Sequence, residues 1–73
     1  MTAFRKLLKE KDITASQVAR RIGRNPATVN CWAVGRNTPS YNDLVKMTVV
    51  LNVSIERLVL CFVDEDDFAI AQN

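Results

Sequence analysis

Gly23 and the pair Asn25-Pro26, separated only by Arg24, constrain the fold more than any other feature of this chain. Glycine enters the left-handed backbone region without a Cβ penalty, so it closes a helix and lets the chain reverse. Asparagine is a strong N-cap, and proline at the first helical position has its φ preset and its missing N–H costs nothing. One helix must therefore end and another begin within a single short turn. Upstream, Thr14 followed by Gln17 has the pattern of a capping box, so the first of these helices starts there and runs only about two turns. Val18, Ile22, Val29 and Trp32 recur at helical spacing and give each helix an apolar stripe. Ala19 is small where two helices must approach closely, which predicts a pair packed at a steep angle.

The remainder reads as helix almost throughout. Thr2 caps a first helix whose buried stripe is Phe4, Leu7, Leu8 and Ile13, with Arg5, Lys6, Lys9 and Lys11 over the exposed side. After Pro39, Ser40 caps a further helix with Asp43 at its third position, filled by Leu44, Val45, Met47, Thr48, Val50 and Leu51. Ser54 caps a fifth, in which Ile55 and Leu58 suit a core face. The chain of 73 residues is too short for two cores. The reading is all-α: one domain over residues 1–63 and an acidic tail over 64–73.

Charge divides along the same line. Residues 1–40 hold eight Lys or Arg against two acids, whereas residues 41–73 hold two against six. A basic surface of this kind attracts a phosphate backbone without regard to sequence. Catalysis is not expected, because the chain has no His and no glycine-rich phosphate loop, and its carboxylates sit mainly in the tail. Cys31 and Cys61 lie far apart without a His, so neither a standard zinc site nor any other cofactor is expected, and reduced thiols are the default. The longest unbroken apolar run, Leu58 to Val63, falls well short of the roughly 20 residues a membrane span needs. The opening Met1-Thr-Ala-Phe-Arg-Lys has no signal-peptide core, so a soluble cytoplasmic protein is expected, of a bacterium or of a phage in its host.

From Thr14 through Gly35-Arg36-Asn37-Thr38-Pro39, the chain resembles the helix-turn-helix of the phage Cro and repressor family, also called the XRE family. Trp32-Ala-Val-Gly35 to Pro39-Ser40 resembles that family's Trp-Glu-x-Gly-x-x-x-Pro exit. Leu44, Met47, Leu51 and Val53 to Leu58 resemble its fourth helix and the start of its fifth. The resemblance covers roughly the first sixty residues and implies a compact five-helix, lambda-repressor-like DNA-binding domain.

In that fold the second motif helix enters the major groove of double-stranded DNA, and side chains facing away from Val29 and Trp32 reach the base edges. Those are Pro26, Ala27, Thr28, Asn30 and Cys31, with Asn25 at the turn. Asn30 has the amide to pair with adenine, and the Thr28 methyl, Ala27 and Pro26 suit a thymine methyl. Arg24 and Asn25, at the turn, are placed to reach the groove edge or a phosphate, and the resemblance places Thr14, Gln17, Arg36, Asn37 and Thr38 against sugar-phosphate. Three departures stand out: Ala15 replaces a frequent phosphate-donating Gln, Ala33 replaces the usual Glu, and Pro26, Ala27 and Cys31 are poor bidentate readers. The first implication is weak specificity, resting on van der Waals contact and DNA deformability. The second is that Arg20 and Arg21 lose a possible structural partner and are freer to meet DNA.

The final stretch admits two forms: a helix to about Val63 followed by a loose tail, which is the favoured reading, or two β-rich segments about an acidic turn. Either way Val59, Leu60, Phe62 and Val63 offer more apolar surface than one small domain covers, which predicts a homodimer interface. The other reading folds these side chains over the domain's own core. Asp64 to Asp67 is a solubilising end or, more sharply, a competitor with phosphate for the basic face. The expected function is operator binding by a transcriptional regulator. Its rival is a protein-binding accessory or antitoxin-like module that reuses the scaffold.

Overall fold

Five oxygen-bearing side chains, on Thr2, Thr14, Asn25, Ser40 and Ser54, open five helices in a computed structural model that describes residues 2–63. The helices are α1 (Ala3–Glu10), α2 (Ala15–Ile22), α3 (Pro26–Ala33), α4 (Tyr41–Leu51) and α5 (Ile55–Leu60), and no strand occurs among the described residues. Each cap is extended, and its side chain accepts from an amide two or three residues on. That satisfies one of the amides every helix start leaves without an internal partner. Both capping boxes close reciprocally, Thr14 with Gln17 and Ser40 with Asp43. Gly23 ends α2 at φ 76°, and Asn52 ends α4 in the same left-handed region at φ 55°.

The core is a single cluster to which every helix contributes: Phe4, Leu7 and Leu8, then Val18, Ala19 and Ile22, then Val29, Trp32 and Ala33, closed by Met47, Leu51 and Leu58. Ala19 is fully buried, which lets α2 pack closely on its neighbours. α2 lies against both α3 and α4, and α5 closes on α4. Arg57 in α5 donates twice to Glu10 in α1, at 2.7 and 2.8 Å. Both partners are half exposed, so the pair orients α5 more than it stabilises it.

One expectation needs correction. The last helix does not reach Val63 but ends at Leu60, where Cys61 and Phe62 donate back to Leu58 and Val59 in a tight turn. The Phe62 ring in this turn lies 5.0 Å from that of Phe4. In α4, Tyr41, Val45 and Val49 form a ridge directed at solvent, while Met47 and Leu51 carry the core face. The acidic stretch Asp64 to Asp67, and the tail of residues 64–73 as a whole, lie outside the described residues.

Candidate nucleic-acid interface

α3 is clamped from behind. Val29 and Trp32 are buried, so the opposite face is turned outward by necessity. Asn25, Pro26, Ala27 and Asn30 are exposed on that face, and Thr28 and Cys31 are half exposed at its flanks. The helix is only eight residues long. Its first turn is set by Asn25, whose Oδ1 accepts from the Ala27 amide at 2.8 Å. The amide nitrogen of Asn25 keeps both its donors for another partner.

The surrounding polar groups come from two other places. Thr14, at the start of α2, accepts the Gln17 amide on its hydroxyl at 3.1 Å, while the Gln17 side-chain oxygen accepts from the Thr14 amide at 2.9 Å. The cap role leaves the Thr14 hydroxyl proton and the Gln17 side-chain N–H groups to donate outward. Arg36, Asn37 and Thr38 are exposed in the loop after α3. The backbone amides of Arg36 and Asn37 both fold back to the Cys31 carbonyl. Gly35, at φ 83°, supplies the left-handed turn that makes this possible.

Two open clefts gather these groups. One, of about 450 Å³, joins Arg24, Thr28, Asn37, Thr38 and Asp43. The other, of about 420 Å³, joins Thr14 and Asn30 with Arg5 and Lys9 of α1. Arg5 and Lys9 had no sequence signal beyond belonging to a basic helix face; only the tertiary fold sets them beside α3.

Asp43 was missed in a different way. Its place in the α4 capping box was legible, but its carboxylate also receives Arg24 in a two-point contact, Nε to Oδ1 and Nη2 to Oδ2, each 2.9 Å. Ser40 adds its hydroxyl at 2.8 Å and its amide at 3.3 Å. Asp43 is the one buried charged residue among the described residues. The hydrogen bond from Arg24 holds its carboxyl at about 2, against the opposing effect of burial, with Ser40 assisting. The Arg24 guanidinium is raised in turn by Asp43. Arg20, Arg21 and Arg36 form no ion pair among the described residues.

The residues expected to pair two copies divide. Phe62 is half buried against Phe4, and Val59 is half buried, whereas Leu60 is 56% and Val63 37% exposed. Among the described residues no helix is long and apolar enough to cross a membrane, and no cluster of His, Cys, Asp and Glu is suited to a metal ion. Burial raises the Cys61 thiol above its usual range, with Arg57 opposing, so its thiolate is disfavoured.

A family model described as helix-turn-helix matches residues 4–58 of the chain. No curated protein and no solved structure matches it.

Proposed function

The chain belongs to this helix-turn-helix family, the Cro/repressor-like or XRE class of DNA-binding regulators, and on that premise we propose that it occupies operator DNA as a transcriptional regulator. The observation that carries the proposal is the two-sidedness of α3. Val29 and Trp32 lock one side into the core, and Asn25, Pro26, Ala27, Thr28, Asn30 and Cys31 face away from it. A helix held this firmly can present its outward side to the major groove with little further ordering required on binding. Asn30 and Thr28 supply the hydrogen-bonding readout there, and Ala27 and Pro26 the apolar contact.

Thr14, Gln17, Arg36, Asn37 and Thr38 flank that face and meet the sugar-phosphate backbone in this reading. Their spare donors support it, as do Arg20, Arg21 and Arg36, which form no ion pair among the described residues. Binding is electrostatic in its sequence-independent part, so the affinity falls steeply as salt rises.

The proposed working form is a homodimer on two half-sites, with the exposed Leu60 and Val63 as the outward apolar contacts and the half-buried Val59 and Phe62 contributing less. Sedimentation at micromolar concentration, with and without duplex, checks this. A monomer under both conditions contradicts it.

The experiment for the main reading is a gel shift with random-sequence duplex at rising salt. A shift lost steeply with salt is expected, with Arg36→Ala weakening all sequences alike and changes at Thr28 or Asn30 altering preference. A chain that shifts no duplex at low salt contradicts operator binding and favours the accessory-module reading.

A further inference from the structure

We propose that Arg24 is a base-reading residue for guanine and that Asp43 is the positioning residue that aims it, an inference that rests on the operator-binding reading above. A guanidinium has five N–H donors in a rigid fork. Asp43 takes two of them, on Nε and Nη2, along one edge. Three remain, one on Nη2 and two on Nη1, and one from each nitrogen forms the parallel pair of the outer edge; the Arg24 side chain is 47% exposed.

The buttress is itself fixed. Asp43 is buried, sits at the third position of α4, and is held by the hydroxyl and amide of Ser40. Arg24 therefore does not sweep the surface as an unpaired arginine would. It stands immediately before the cap of α3, in the same cleft as Thr28. The free edge is a pair of parallel donors, and the acceptor pair of matching geometry in the major groove is O6 and N7 of guanine.

A phosphate contact is the competing assignment, and two features count against it. The carboxylate of Asp43 offsets the charge that would attract a phosphate. A fixed guanidinium also gains little over a mobile one at an acceptor that tolerates many approach angles, whereas a base edge demands one. The pair thereby supplies the bidentate readout that Pro26, Ala27 and Cys31 cannot.

Selection of bound duplexes from a randomised pool, using the full chain and its Arg24→Lys and Asp43→Asn variants, tests this. The unaltered chain is expected to enrich guanine at one position of each half-site. Lys keeps the charge without the fork and Asn keeps the shape without the charge, so each variant is expected to lose that preference by about tenfold or more. Preferences elsewhere and the salt slope should stay unchanged. Circular dichroism melts show whether each variant is folded at the assay temperature; if Asp43→Asn is not, Arg24→Lys decides. Arg24→Lys with an unaltered guanine preference overturns the proposal, as does loss of affinity in Arg24→Ala that is equal for all sequences with a shallower salt slope. A chain that retains no duplex at all overturns the underlying reading as well, a result distinguishable because it appears before any variant is made.

Discussion

The Thr2 hydroxyl donates to the Ala33 carbonyl at 2.6 Å, across 31 positions of sequence, while accepting the Arg5 amide at 3.1 Å. One side chain thus caps α1 and ties its start to the last residue of α3. The Ala33 side chain is buried, 4% exposed, so the position where the resemblance would put a Glu is closed by the fold around it. Thr2→Ala removes both bonds and is expected to cost about 1–2 kcal/mol in urea denaturation. Thr2→Ser should recover most of that loss, because it retains the hydroxyl.

Acid should weaken the tie between the Arg24 turn and the start of α4 through Asp43. Its carboxyl is lowered in the folded state from 3.8 to about 2, so the folded chain binds protons less readily than the unfolded chain. The resulting stabilisation, of order 1–2 kcal/mol (about 1.4 kcal/mol for each unit of the shift as an upper bound), is fully present above about pH 4. It is lost as pH falls towards 2. Asp43→Asn should be less stable than the parent chain at neutral pH, and the gap should narrow across that window when stability is measured at several pH values.

Gly23→Ala isolates a backbone cost. The residue sits at φ 76°, and a Cβ there would meet nothing within 4 Å. No packing change accompanies the substitution, so the net loss is the left-handed strain less the stabilisation that comes from the lower entropy of the unfolded chain, about 1 kcal/mol. A thermal melt of the variant checks this, and an unchanged midpoint would contradict it.

Phe62 and Leu60 should separate cleanly. Phe62→Ala removes the ring that rests on Phe4 and is expected to lower stability by about 2 kcal/mol. Leu60→Glu alters a mostly exposed position, so stability should change by less than about 0.5 kcal/mol while a dimer dissociates in sedimentation. Equal losses of stability in both variants would contradict this division.

Local signals were the legible ones. The caps at Thr2, Thr14, Asn25, Ser40 and Ser54 and the turn at Gly23 each depend on residues a few positions apart, and all form as read. The core positions Val18, Ile22, Val29 and Trp32 followed from helical spacing alone. What escaped was tertiary. The Arg24–Asp43 pair spans 19 positions, and Thr2 to Ala33 spans 31, so neither has a spacing to betray it. The contact of Phe62 with Phe4 spans most of the chain and likewise has no local pattern. In α4, counting apolar residues could not tell the core side from the Tyr41, Val45 and Val49 ridge, because both faces are apolar and only the packing of α2 and α5 selects one.

The most direct test of the central claim, that the outward face of α3 is the DNA-binding surface, is an NMR titration of the labelled chain with duplex DNA at low salt. Shifts concentrated at residues 25–31, with weaker ones at Thr14, Gln17 and 36–38, are the predicted result. Shifts confined to the Tyr41, Val45 and Val49 ridge or to α5, with residues 25–31 unmoved, would contradict it.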